Sequence, residues 1–357
     1  MRAYFFRALA AAAIYIALHF FVCLFVPSPI AAEYWVRELI VIKSRLADSI
    51  PSPRIIFLGG SSLVFGVDAK EVEKETGVPA MNMGLHAAMR LDRALQIGER
   101  VVRPGDILVL SLEHSFYSCD QKYWNDWQVR NALAWDREYF NSFPVETRIK
   151  AIYSSGEPLL MFDVLEARAE SVVRPKTYAL RMRALAPADE IWERYQSKEF
   201  RTSTDVYSAY NIDDRGDRPG AKGAMYLGPG VRADEPSDIC PDELAILTTF
   251  VSRMKDKGVR VIIAHTPYLI DGEPTEGWQE AEARFSRSVA LTGADLLDRR
   301  EELFMPRSDF FNTKLHLNED GRRKWTNAII ADLRKLGVGK AEKDQREVEN
   351  LEQTGHR

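Results

Sequence analysis

Residues 54–62, Arg54-Ile55-Ile56-Phe57-Leu58-Gly59-Gly60-Ser61-Ser62, decide how this chain reads. A short uninterrupted apolar run closed by two glycines is the pattern of a buried strand entering a tight turn. Working outward, the pattern repeats. A helix is expected over about 68–76, ending at Gly77, then a strand from Pro79 to Met83 ending at Gly84, and a helix over about 88–102 stopped by Pro104-Gly105. Asp106 to Leu112 is a further apolar strand. The alternation resumes with a helix from Asp242 to Lys257, which carries Ile246, Phe250 and Met254 on one face, and a strand from Val259 to Ala264. A helix over about 275–291, a strand from Ala294 to Leu297 and a last helix opened by Asn318 complete it. Repeated βα units with continuously apolar strands predict an α/β fold, a parallel sheet covered by helices on both faces.

Upstream, Ala8 to Val26 (ALAAAAIYIALHFFVCLFV) is almost uninterrupted hydrocarbon, with only His19 breaking it. At 1.5 Å per residue it crosses roughly 30 Å, the length of a transmembrane helix and longer than a cleavable leader's apolar stretch. Arg2 and Arg7 precede it and Arg37, Lys43 and Arg45 follow, so charge leans toward an inside N-terminus. The expectation is a single-pass inner-membrane anchor with the soluble body on the extracytoplasmic, periplasmic side. Ala32 to Ile50 reads as a short amphipathic helix ended by Pro51-Ser52-Pro53. Residues 1–27 are then the anchor, 28–52 a stalk, 53–338 the α/β body with a helical insertion at about 115–240, and 339–357 a charged, solvated tail. Helices are expected in the insertion near 125–140, 145–170 and 180–200, followed by a Gly/Asp/Arg-rich loop from Asn211 to Gly230. Such a long insertion is a natural place for substrate or partner selection.

Composition narrows the class. With 357 residues, 46% of them hydrophobic, the chain can bury a large core. A formal charge of -4 without a dense basic block gives no reason to expect nucleic acid as a partner. Of three cysteines, Cys23 lies in the apolar segment, leaving Cys119 and Cys240 either to bridge the insertion to the core or to remain two buried thiols. No cluster has metal-ligand spacing, so neither a metal nor a cofactor is indicated.

Two segments carry candidate chemistry. Ser62 stands just beyond the first strand, at the end where open α/β sheets bind ligands, although a turn capping the next helix explains Gly-Gly-Ser-Ser equally well. Far downstream, His316 in Leu315-His316-Leu317-Asn318-Glu319-Asp320-Gly321 immediately precedes a helix and is placed to serve a serine hydroxyl, which needs a base to become a nucleophile. Together the segments resemble the SGNH/GDSL family of serine esterases and acyltransferases, in particular its membrane-anchored branch of alginate O-acetylation and teichoic-acid D-alanyl transfer proteins. The resemblance covers about 53–115 and 243–335 and leaves the insertion unmatched.

That resemblance implies a flavodoxin-like three-layer α/β/α fold of the SGNH type. It also implies Ser62 as nucleophile, His316 as catalytic base, and the amides of Ser62 and Gly84 as oxyanion hole. Ser61 stands where many members have Asp. The carboxylate expected before the base is replaced by Asn312 and Thr313; Asn312 is the residue left to hold the imidazole tautomer, with Asp309 a substitute further upstream. Where an oxyanion-hole Asn is usual, the chain reads Glu113-His114, two residues at a strand end that either line the same crevice or form a salt-linked loop. The implied activity is an extracytoplasmic esterase or O-acyltransferase on an envelope or secreted polysaccharide, with an acyl donor and a membrane-bound O-acyltransferase as partners. The alternative from the same departures is a catalytically impaired, carbohydrate-binding or assembly subunit.

Overall fold

The computed structural model describes residues 1–198, 200–201, 207–218, 221–228, 238–270, 277–297 and 303–339. The expected tail therefore lies outside the described residues except at its first position, and so do parts of the loop expected over Asn211 to Gly230. The chain divides into two compact units, one made of Met1–Val41 with Asp120–Phe200, the other of Ile42–Cys119 with the chain from Arg201 onward.

The second unit holds the sheet. Its strands β1 (Ile55–Gly59), β2 (Ala80–Gly84), β3 (Ile107–Ser111), β4 (Arg260–Ala264) and β6 (Asp295–Leu297) are all parallel, in the order β2-β1-β3-β4-β6. Every residue of β1 and β2 is buried, which is why both read as apolar runs rather than alternating ones, with Asn82 the one polar side chain in the two strands. Helices cover both faces. Ile55 and Phe57 pack in one core with Trp325, Ile329 and Leu333 of α14 (Glu319–Lys335), while Leu58 points the other way onto α5 (Leu91–Val101) at Gly98. The fold is thus α/β with a five-stranded parallel sheet. A pair of short strands, β5 (Tyr268–Leu269) and β7 (Phe304–Met305), has no counterpart in the sequence reading because two-residue strands carry no periodicity.

Local chemistry sets the element ends. The Asp68 side chain accepts from Glu71 N and opens α4 (Ala69–Thr76), which Gly77 closes with φ of 74°. Asn318 caps α14 by accepting from the amides of Asp320 and Gly321, so His316 is held two residues before a fixed helix start. At the amino edge of the sheet Arg54 and Asp106 are buried together, Nε to Oδ2 at 3.0 Å. The expected stalk is not a free spacer: from Ile42 onward the helix α2 (Tyr34–Ser49) belongs to the sheet unit, where the carbonyls of Ala47 and Ile50 accept from Arg54.

The first unit is helical. The apolar helix α1 (Arg2–Phe25) buries Val22, Cys23 and Leu24 in a core with Trp124, Leu133, Phe140, Leu160 and Met161. Anchor and residues 120–200 therefore form one body, where the sequence reading separates them, and Arg201–Cys240 goes with the sheet instead. Each expected insertion helix is present but broken. Trp135-Asp136 divides the first into α6 (Asp126–Ala134) and α7 (Arg137–Asn141). Gly156, with φ of 71°, and Pro158 split the second into α8 (Val145–Ser154) and α9 (Leu160–Val173). Pro175 starts α10 (Pro175–Ala184), and α11 spans Ala188–Ser197. Cys119 and Cys240 are joined as a disulfide, Cα to Cα 5.0 Å, which ties the two ends of the insertion together. The helix α1 is long and apolar enough to cross a membrane.

Candidate active site

In the strand order β2-β1-β3-β4-β6 the winding reverses between β1 and β3, and the crevice outside the carboxyl ends at that point is where such sheets take ligands. Two side chains flank it. Ser62 lies in the short helix α3 (Ser61–Gly66) that follows β1, and Glu113 follows β3. The Glu113 carboxylate accepts from Gly60 N at 3.1 Å and from Ser62 N at 2.8 Å. Position 60 has to be glycine for this, since a Cβ there would stand 2.2 Å from the Glu113 carboxylate. Burial pushes the Glu113 carboxyl up from its ordinary value, opposed by the Ser62 amide. The Ser62 hydroxyl is closed off from solvent, with the residue 1% exposed; it lies close enough to the Glu113 carboxylate to oppose the rise of that carboxyl, but no partner meets hydrogen-bond geometry.

Gly84, at the end of β2, donates its amide to Asn82 Oδ1 at 2.8 Å. Both amides implied as an oxyanion hole thus already donate to side chains, Ser62 N to Glu113 and Gly84 N to Asn82. Asn82 is a buried hub: its Nδ2 donates to Leu63 O at 3.0 Å and to Asp217 Oδ1 at 3.1 Å, and its Oδ1 also receives Lys43 Nζ at 3.3 Å. Lys43 further donates to Gly84 O at 2.8 Å. Burial lowers the Lys43 ammonium to about 7 and raises the Asp217 carboxyl to about 7. Neither residue was singled out for the site from sequence. The signal was present for Lys43, which shares the apolar face of its helix with Leu39 and Leu46, and for Asn82, a polar residue inside an apolar strand.

On the other side stands His316. Its Nδ1 lies 2.8 Å from Asn312 Oδ1, and Asn312 Nδ2 donates to Tyr207 OH at 3.0 Å. That network assigns the proton to Nδ1 and leaves the Nε2 lone pair available to a substrate proton. The ring stacks on Phe65 with centroids 4.3 Å apart, and Phe65 is one helical turn from Ser62. Burial first, then His86 and Arg218, lower the imidazole to about 3, so it stays neutral at ordinary pH. His86 acts electrostatically on Glu113 and His316 alike, which places it within the same group. No hydrogen bond joins Ser62 Oγ to His316.

Two anticipated residues lie elsewhere. Asp309 does not orient the imidazole; both its oxygens bind Lys324 Nζ, at 2.9 and 2.7 Å. His114 turns into a second buried cluster with Tyr268, His265 and Phe285, because the 3-10 turn His114–Tyr117 carries it past the crevice that Glu113 faces. In that cluster His265 Nε2 lies 2.8 Å from Glu282 Oε1, outside hydrogen-bond geometry. Ser61 is buried at the first position of α3. Among the described residues no group of three or more His, Cys, Asp or Glu is arranged to hold a metal ion. Neither a family model, nor a curated protein, nor a solved structure matches this chain.

Proposed function

We propose that the chain is a membrane-anchored serine esterase or O-acyltransferase of the SGNH type, acting outside the cytoplasm on acyl groups of an envelope or secreted polysaccharide. The observation that carries this reading is the His316–Asn312 pair stacked one helical turn from Ser62 at the switch point of the sheet. Ser62 Oγ attacks the acyl carbonyl carbon while His316 Nε2 takes the hydroxyl proton; the proton then passes to the leaving alcohol, and an acyl-Ser62 ester remains. Water or a sugar hydroxyl, deprotonated by the same nitrogen, attacks that ester and frees Ser62. Asn312 keeps the proton on Nδ1 but stabilises imidazolium less than a carboxylate does. The oxyanion needs the Ser62 amide, so Glu113 has to release it or be neutral when the charge develops. The Cys119–Cys240 disulfide favours an oxidising compartment, and α1 a membrane attachment. The resemblance further suggests a membrane-bound O-acyltransferase as the source of acyl groups.

A second reading, an assembly or carbohydrate-binding subunit that has kept the fold and lost the chemistry, is favoured by one observation: both candidate oxyanion amides are filled and the Ser62 hydroxyl is buried. Treating the full chain with a fluorophosphonate separates the two. Stoichiometric modification at Ser62, together with acetate release from an acyl ester that Ser62→Ala abolishes, supports the enzyme. Absence of both rejects it in favour of the subunit.

A further inference from the structure

The helical unit contains a hairpin whose tip is apolar and exposed. Helices α8 and α9 are joined by residues 155–159, and around that turn Tyr153 is 80% exposed, Leu159 60%, Phe162 50% and Leu165 44%. The tip does not stand alone. Tyr15 OH of α1 donates to Pro158 O at 2.6 Å, the Tyr15 and Phe162 rings lie 6.4 Å apart, and an apolar groove of about 330 Å³ runs between Tyr15, Ile16, His19 and Phe20 on one wall and Ile152, Tyr153 and Pro158 on the other. Three arginines mark the opposite, carboxyl end of α1. Arg137 donates to the carbonyls of Cys23, Leu24 and Val26, Arg168 to Ser28 and Arg181 to Pro29.

The helix rise turns these contacts into a depth. Tyr15 lies ten residues before Phe25, so the tip meets α1 roughly 15 Å back along the axis from the arginine-bound end. The part of α1 before that contact, residues 2–14, is only about 20 Å long, short of the ~30 Å of a hydrocarbon core. If α1 spans a bilayer, it has to take the hairpin tip in with it. Charges near the tip are compatible with this. Arg130 is bound to Asp126, Glu157 and Asp163, and the exposed Lys150–Glu146 pair on α8 lies three and seven residues before Tyr153, about 5 and 10 Å along the axis, from where a long side chain reaches the interface.

We propose that the α8–α9 tip is immersed in the hydrocarbon of the membrane leaflet at which α1 ends, with lipid acyl chains filling the groove between tip and α1. The covering occupant is the phospholipid bilayer, because the exposed side chains lie at the depth of α1, the one helix among the described residues long and apolar enough to span it. This inference rests on the anchor reading, and its test reports on each separately. Single-cysteine variants Ile14→Cys, Leu159→Cys, Phe162→Cys and Glu193→Cys of the full chain, in a Cys23→Ala background with the disulfide intact, are labelled with an environment-sensitive fluorophore and reconstituted into phosphatidylcholine liposomes. Doxyl-labelled lipid should quench positions 14, 159 and 162 about threefold or more over position 193, which aqueous iodide should quench instead. If position 14 responds to lipid but 159 and 162 only to iodide, the anchor stands and the immersed tip is wrong. Shielding of 159 and 162 from both quenchers means a protein partner or second copy covers the tip, which also overturns the proposal. Iodide quenching at position 14 removes the anchor and the immersed tip together.

Discussion

The two ends of the parallel sheet treat buried polar groups in opposite ways. At the amino end Arg54 and Asp106 are both inaccessible, and Arg54 is met by Asp106, by Ile50 O at 3.2 Å and by Val101 O at 2.5 Å, while Asp106 also accepts from Arg103 N at 2.8 Å. At the carboxyl end the Ser62 hydroxyl, His114 Nδ1 and the Tyr117 hydroxyl are buried with no hydrogen bond. An unsatisfied buried polar atom costs about 1–3 kcal/mol, so a fold tolerates only a few. The amino end pairs its buried polar groups, and the carboxyl end leaves three unpaired: under the proposed function a substrate would meet the Ser62 hydroxyl, whereas His114 and Tyr117 belong to the separate cluster around Phe285.

The comparison breaks most directly on Ser62→Ala. It should lower acyl-ester turnover by roughly 10³-fold or more and leave the urea midpoint unchanged, since it removes a hydroxyl that makes no bond. Arg54→Met should do the reverse. It leaves Asp106 buried and unpaired, and equilibrium unfolding should show a loss of about 3–5 kcal/mol with fluorophosphonate labelling of the folded protein intact. Equal effects of both substitutions on turnover and stability would erase the contrast between the two ends.

Acid sharpens the contrast next. Burial holds His316 at about 3 and His114 at about 4, whereas both titrate near 6.5 once unfolded. Below pH 6.5 the unfolded chain therefore binds more protons than the native one, and stability falls as pH falls. The slope approaches ~1.4 kcal/mol per pH unit for each ring, with only His316 contributing between pH 4 and 3. Urea titrations at pH 7 and 5 on the parent and on His114→Gln test this; an identical pH dependence in the variant would show that His114 contributes none of it.

Two smaller effects address the crevice itself. Asn312→Asp should raise turnover roughly tenfold or more by stabilising the imidazolium, and Asn312→Leu should lower it. Glu113, with its carboxyl raised by burial, carries charge against the Ser62 amide only as pH climbs through that elevated value. Turnover of the parent should consequently decline toward alkaline pH, and Glu113→Gln should abolish the decline. A parent pH–rate profile with no such fall, or a fall that Glu113→Gln leaves unchanged, would contradict this role for Glu113.

Much of this architecture was legible along the chain. Apolar runs closed by Gly59-Gly60 and Gly84, and one opened after Pro104-Gly105, locate the strands, because burial on both faces favours apolar side chains at nearly every position of a parallel strand and a tight turn favours glycine or proline. Ser62 and His316 were visible as residue types beside element ends, and Asn312 only through the family resemblance. What no local pattern specifies is which side chains face one another, whether 15 residues apart as Asp309 and Lys324 or 135 apart as Asn82 and Asp217. The path of the chain in space fixes that: crossovers between parallel strands bring Glu113 onto the Ser62 amide and Asp217 onto Asn82, while the docking of α2 seats Lys43 on Asn82 and that of α14 sets Lys324 on Asp309. Sequence determined the elements because hydrophobic periodicity is local; the tertiary structure alone decided the partners of buried polar atoms, because a hydrogen bond depends on distance in space.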